Sequence, residues 1–503
     1  MLEDSSNASS VNTHTAIPRR SFLATVGTAG VTSALAGCTG GAGESETTTG
    51  TTKSSTDASG KTVIKWAVYP WIADKMPELR QALWDAGLSE DIYLEHQDLP
   101  GTAPGDIRSQ YQQWLSSGRT EPDILAADTA FTIPFVAQEQ FLNLSENLPS
   151  EKLDVVTENY ASQLFPTVRS SDGDFYGIPF STDVPGLLYR KDLVTEAGYD
   201  PEGENWAQNS MTWKRFSEIV ADTQQRTGTE HGFVFQAKAY EGLSACNFNE
   251  WLTSFGGAFF GGRENLFGPV GKRPITVDES PVLDSLRMIR TFIHGQDDEQ
   301  SLDGYTGGIS PRQVLQFTEP ESRTVFANGN SVALRAWPQA WQTSGSEENY
   351  GTDLGVMPIP SGVSEAQAKN DGTGGIGRSF IGGYSNHINP HSKKIDAAVE
   401  VLTHMIGNVE FRYHLFNASV VPPNLSMLDT ERFQNAPVLG RYTDVIKIHA
   451  QRGIPRPATI AWNPESAKIA SQVNSTLARD ATPAKAMGTL KSQLADIEER
   501  LSQ

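Results

Sequence analysis

The sequence predicts an α/β protein of layered strands and helices, divided into more than one domain. Short runs of β-branched or alternating apolar residues are followed again and again by stretches with helical spacing, the pattern of α/β layers rather than of a sandwich or a bundle. Glycines close several of the helical stretches, as expected where a helix must end in a left-handed residue. The chain has 503 residues, more than a single core normally serves, and no segment repeats at a fixed period.

The elements follow in order. "KTVIKWAVYPW", from Lys61, reads as the first strand of the folded body, and "DKMPELRQALWDAG" as a helix ending at Gly87. "EPDILAADTA" reads as a short buried strand with a polar exit. "DFYGIPFSTDVPGLLYRKDLVTEAG" gives a turn, a strand through Leu187, Leu188 and Tyr189, and a helix stopped by Gly198. In "MTWKRFSEIVADTQQRTG", Thr212 is the expected N-cap, Trp213, Phe216 and Val220 form the inward face, and Gly228 ends the helix. "SKKIDAAVEVLTHMIG" repeats that design, with Ser392 as cap and Ile395, Val399, Leu402 and Ile406 inward. The last helix carries a stripe of Met487, Leu490, Leu494, Ile497 and Leu501.

Ahead of the body lie two segments of another kind. Residues 19 to 41, "RRSFLATVGTAGVTSALAGCTGG", join two arginines to a 15-residue apolar run from Phe22 to Ala36. That run is shorter than the roughly 20 residues a membrane span needs and is diluted by glycine and threonine, so it reads as an export signal over residues 1–38. Arg19-Arg20-Ser21-Phe22-Leu23 resembles the twin-arginine export motif. Leu35-Ala36-Gly37-Cys38 resembles the lipobox of surface lipoproteins, which implies lipidation at Cys38 and a membrane anchor there. Residues 39–60 are dominated by Gly, Ser and Thr and cannot bury a core, so they read as a disordered linker.

Composition excludes some functions. A net charge of −20 with no basic stripe argues against a nucleic-acid partner, and so acidic a surface suits a high-salt habitat. With Cys38 assigned to lipid, Cys246 has no disulfide partner and reads as a buried thiol. Sequons occur at Asn143, Asn417, Asn424 and Asn474.

Catalytic patterns are weak. "GTGGIG", residues 372–377, fits GxGxxG only formally, since neither a strand before it nor a helix after it is indicated, and it reads as a loop. There is no Walker loop, GxSxG elbow or HExxH. His387 and His391 stand four apart with Pro390 between them, so no metal or cofactor is expected. No carboxylate pair stands out for glycoside hydrolysis. What does stand out is a surplus of aromatics in turns and at strand ends: Trp66, Trp71, Tyr240, Trp337, Trp341, Tyr384 and Trp462, residues suited either to a core or to the apolar face of a sugar.

Taken in order, "DGDFYGIPFSTDVPGLLYRKDL", "TWKRFSEIV", "GFVFQAKAYEGLSACNFNEWLTSFGG", "VFANGNSVALRAWPQAW", "SFIGGYSNHINPHSKK" and "RGIPRPATIAW" resemble the sugar-binding lipoproteins of ABC importers, nearest their trehalose/maltose-binding branch. The resemblance covers nearly all of the body. It implies a two-lobed, periplasmic-binding-protein-like fold of type II, with hinge crossings and a ligand cleft. The lobes would comprise 61–182 with 357–418, and 183–356 with 419–503. It further implies a non-enzymatic, monomeric protein on the outer face of the cell membrane that captures a di- or oligosaccharide and delivers it to membrane permease subunits. Residue by residue, it implies ligand contacts from Trp71, Asp128, Asp183, Tyr240, Glu241, Trp337, Gly383, Tyr384 and Arg456. A receptor for another solute, such as a polyol or peptide, and a tethered glycoside hydrolase are the alternatives, because a fold does not fix a function.

Overall fold

The computed structural model describes residues 60–101, 104–369 and 377–502. The expected export signal with Cys38, nearly all of the 39–60 linker and all but Gly377 of the glycine-rich 372–377 segment lie outside them. Nine strands form two sheets among the described residues. Strands β1 (Thr62–Val68), β2 (Ile92–Asp98), β3 (Ile124–Asp128) and β4 (Ile178–Pro179) belong to the first. Strands β5 (Gly186–Arg190), β6 (His231–Val234), β7 (Ser331–Ala336) and β8 (Leu354–Met357) make the second, and β9 (Tyr384–Ile388) returns to the first.

The first sheet runs β2-β1-β3-β9-β4, with β1 parallel to β2 and β3, and β9 antiparallel to β3 and β4. The second runs β6-β7-β5-β8, with β5 antiparallel to both its neighbours. Helices cover both faces of the second sheet, so its strands are apolar on each face. Leu187 and Tyr189 enter one core with Phe233 and Met357; Leu188 enters the opposite one with Val234, Leu334 and Val356. That alternation is the two-residue period of a strand.

Most local expectations hold. Thr212 accepts a hydrogen bond from the Arg215 amide at 3.1 Å, and helix Trp213–Thr227 ends at Gly228 with φ +72°. Cys246 is buried, as expected for an unpaired thiol. Two stripes differ. Ser392 does not cap its helix; it donates to Asp123 and accepts from the Lys394 amide, so Lys394 takes the cap position. The inward face of Ile395–Met405 becomes Ala398, Val401, Leu402 and Met405, leaving Ile395 and Val399 at its edge. Leu501 is 41% exposed, because the 19-residue helix Pro483–Leu501 outruns its 16-residue neighbour Trp462–Leu477.

Among the described residues, passages between the sheets lie at 180–185, at 358–369 and 377–383, and at 417–422. Asp183 and Gly382 exchange amide hydrogen bonds at 2.9 and 3.0 Å, and the Thr182 amide donates to Val421 at 3.0 Å. Met357 still belongs to the second sheet, and Ile359 and Phe380 pack in the core on one face of it. Met357 is thus the last residue of the second sheet before the passage that leads to β9.

Candidate functional site

Strand ends place the polar groups where the passages meet. Asp128 is the last residue of β3 and stands in register with Tyr384, the first of β9. Gly383 precedes it with φ +146°, and any Cβ there would be driven into the Ser181 carbonyl oxygen. Only glycine meets both conditions, and the resulting approach lets the Thr129 amide donate to the Gly383 carbonyl at 3.0 Å. Asp183 follows in the first passage, half-buried, with its backbone fixed by Gly382.

Arg456 comes from the segment after helix Thr443–Arg452, between two prolines that hold it extended. It is only 7% exposed. Its Nη1 donates to Glu241 Oε1 at 2.5 Å and its Nη2 to Asp128 Oδ1 at 3.4 Å, while its guanidinium lies 5.0 Å from the Phe380 ring centre. Trp462 Nε1 also donates to Glu241 Oε1, at 3.2 Å. One arginine thus joins a carboxylate at the C-terminal end of β3, the central strand of the first sheet, to one that precedes the 242–247 turn of helix on the second side.

Burial pushes the Asp183 carboxyl up to about 7, and the neighbouring Asp128 adds to the effect. Burial likewise raises Asp128 to about 6; Arg456 opposes this and Glu241 reinforces it. These carboxyls gain from a donor brought to them, since the charged form is poorly solvated as they stand.

The rings flank this polar centre. Tyr384 meets Tyr69 edge-on at 4.3 Å, and Tyr69 stacks on Trp71 at 4.1 Å. Trp71 is 39% exposed, and its ring reaches toward Asp128 through Tyr69 and Tyr384. On the other side, Trp337 is half-buried, with Phe380 edge-on at 5.8 Å and the Arg335 guanidinium 4.6 Å from its centre. Arg335 pairs twice with Glu250, at 2.9 and 2.7 Å, and Glu250 accepts the Phe380 amide at 3.1 Å. This buried pair sets the two rings. The Tyr240 ring folds back so closely over Gly242 that a Cβ there would clash with it, and its hydroxyl is buried beside the Glu319 carboxylate.

The structure therefore brings Asp128, Asp183, Glu241, Gly383, Tyr384 and Arg456 into one cluster. It places Trp337 beside Phe380 and Tyr240 beside Glu241, and it sets Trp71 at the rim. Three of the aromatics singled out in sequence are core residues, Trp462 among them at 2% exposure. Trp66 is fully buried, with Nε1 donating to Asn386, and Trp341 is fully buried, with Nε1 donating to the Ala336 carbonyl. Tyr69, Phe380 and the Arg335–Glu250 pair are additions that sequence reasoning missed. Tyr69 has a signal, the aromatic crowding in "AVYPW"; the buried pair joins residues 85 apart, with no local signal. Among the described residues, no group of three or more His, Cys, Asp or Glu side chains is placed to hold a metal ion. Chemically, the cluster offers acceptors, a fixed bidentate donor and flat apolar faces, a set that matches a polyhydroxylated ring better than a charged or purely apolar ligand.

The family model described as bacterial extracellular solute-binding protein matches residues 102–409. A Deinococcus radiodurans protein named "Probable ABC transporter-binding protein" is 27% identical over 398 residues, covering 78% of this chain and 83% of that protein. Among solved structures, maltose-bound MalE3 of T. maritima superposes with a TM-score of 0.68 at 24% identity, over 86% of this chain and 98% of that one. UgpB from Mycobacterium tuberculosis, in complex with glycerophosphocholine, gives 0.66 at 16% identity, over 88% and 100%. At these identities the two structures speak for the two-lobed fold.

Proposed function

The chain belongs to the bacterial extracellular solute-binding proteins, and from that premise we propose that it is the non-catalytic capture component of an ABC importer, taking up a di- or oligosaccharide of the trehalose/maltose type. Ligand held between the lobes stabilises their closed arrangement, which the permease then recognises. The single observation that carries the reading is Arg456 bound to both Asp128 and Glu241, which gathers donors and acceptors from the two sheets at one point between ring faces. The curated relative named as ABC transporter-binding supports the importer role. We take the nine residues carried over from the family, from Trp71 to Arg456, as the ligand contacts, 61–182 with 357–418 as the first lobe, and 183–356 with 419–503 as the second. Residues 1–38 then serve twin-arginine-type export, with Cys38 lipid-anchoring a monomer to the outer face of the cell membrane in a salt-adapted cell. A second reading, capture of a polyol or other solute, draws on the glycerophosphocholine complex of one neighbour.

Tryptophan fluorescence of the protein titrated with trehalose, maltose, maltodextrins, sucrose and glucose tests the proposal. A saturable change, with the sugar recovered intact and the response lost in Trp337→Ala and Asp183→Asn, is expected. Cleaved sugar would make the protein a hydrolase. Silence toward every sugar, with the fold intact, would favour the polyol or other-solute reading.

A further inference from the structure

Four sequons stand among the described residues, and the fold treats them differently. At Asn143 the amide Nδ2 donates to Asp174 Oδ2 at 3.2 Å, and the Ser145 hydroxyl accepts the Phe175 amide at 2.9 Å. Both polar ends of that motif are therefore held by the 174–175 segment. Asn474 lies within helix Trp462–Leu477; its Nδ2 donates to the Ala237 and Leu315 carbonyls at 2.7 and 3.2 Å, and Thr476 is fully buried. Asn417 follows helix Val409–Phe416 with its Oδ1 buried, and Ser419 stands in the left-handed region at φ +67°. Asn424 differs from all three. Its Oδ1 accepts from the Ser426 amide at 3.1 Å and from the Ser426 hydroxyl at 2.7 Å, while its Nδ2 meets no acceptor among the described residues.

From this difference we propose that Asn424 is the residue of the folded chain that accepts an N-linked oligosaccharide. An asparagine amide can be modified only where its nitrogen is free of acceptors within the fold and open to approach from water. The orientation at Asn424 is fixed chemically, because the Ser426 N–H can only donate and so selects Oδ1, turning Nδ2 away from the turn. The turn itself is anchored. Met427 and Leu428 are buried, and the Pro423 carbonyl accepts the Ala161 amide at 2.9 Å. Pro422 and Pro423 hold the approach extended, and Asn424 continues it with φ −86° and ψ 98°. Ser426, Asp429, Thr430 and Glu431 around it are exposed. The donor is a lipid-phosphate-linked oligosaccharide. A bond forms between Asn424 Nδ2 and the anomeric carbon of its reducing-end sugar, and the bond from that carbon to the phosphate oxygen breaks. The lipid phosphate leaves with the electron pair, and one amide proton passes to a base of the transferase. A passenger exported already folded, as proposed above, offers a transferase only this surface.

The test exposes the folded full chain to a single-subunit asparagine oligosaccharyltransferase and its lipid-linked donor, beside synthetic peptides that span each of the four sequons. Glycopeptide mass spectrometry reads the occupancy of each asparagine. The folded chain is expected to be modified at Asn424 and left bare at Asn143, Asn417 and Asn474, whereas the peptides lose this selectivity. Asn424→Asp keeps the Oδ1 acceptor that caps Leu425–Asp429 and removes the nucleophilic nitrogen, so it should abolish modification of that segment without lowering the melting temperature. Ser426→Thr, which preserves the motif, should retain it. Occupancy at Asn143, Asn417 or Asn474 equal to that at Asn424 in the folded chain would overturn the proposal. So would a folded chain left bare at Asn424 while the matching peptide is modified, or a peptide around Asn424 that the transferase refuses.

Discussion

Arg456 is the residue whose removal has the most to disturb. In Arg456→Ala, Asp128 and Glu241 would face each other without a cation, and truncating one member of a buried, hydrogen-bonded charge pair costs about 2–5 kcal/mol of binding. Affinity for the preferred sugar should fall at least about thirtyfold, and Arg456→Lys should recover little, because an ammonium cannot span both carboxylates as the planar fork does. Calorimetric titration of both variants checks this. Gly383 is a second such residue. With φ +146° and the Ser181 carbonyl standing where a Cβ would go, Gly383→Ala should lose about 2 kcal/mol of stability or more, read from urea unfolding.

The two raised carboxyls give a pH dependence with a definite sign. Asp128 at about 6 and Asp183 at about 7 stand above their ordinary 3.8. Between these limits the folded protein binds more protons than the unfolded chain, so their contribution to stability is full below about pH 4 and is lost as pH rises through 6 to 7. A hydroxyl donor brought by a ligand favours the ionised carboxylates and lowers both values. Sugar affinity should therefore rise from about pH 5 to about pH 8, with protons released on binding near pH 6.5. Calorimetry in two buffers of different ionisation enthalpy detects that release; proton uptake would refute the assignment.

Among the elements, helix Trp213–Thr227 illustrates what local chemistry decides. Its cap, apolar face and glycine stop all stand within about eighteen residues, and each is legible in the sequence alone. Thr212→Ala should lower stability by about 1 kcal/mol while leaving ligand affinity unchanged, since the helix buries its face in the second core and supplies none of the clustered polar groups around Arg456. Urea unfolding alongside a binding titration separates the two effects. The helix after Ser392 shows the limit of such reading. Ser392 has the right side chain for a cap, but Asp123, 269 residues away, claims its hydroxyl and shifts the start of the helix to Lys394. At Asn474 the same kind of long-range claim appears: its amide donates to the Ala237 and Leu315 carbonyls, so this sequon is engaged within the fold.

For the whole molecule, a net charge of −20 means the folded chain repels itself, and salt relieves that repulsion over a Debye length of about 3 Å at 1 M. The melting temperature should rise between about 0.1 and 2 M NaCl; a flat profile in differential scanning calorimetry would sink the reading of a salt-adapted surface. By itself the sequence determined the alternation of strands and helices, the caps and stops encoded within a few residues, and, through six ordered segments, the family resemblance. Those signals are local or are read along the chain. Only the tertiary structure decided that Trp66 and Trp341 are core while Trp71 stands at the rim, because periodicity gives a ring's spacing but not what covers it. It alone brought Arg456 to Asp128 across 328 positions, and it alone tied the Trp337 and Phe380 rings to one buried arginine–glutamate pair. Such contacts arise where separate passages of the chain cross, and nothing in the residues beside them marks which distant partner they will meet.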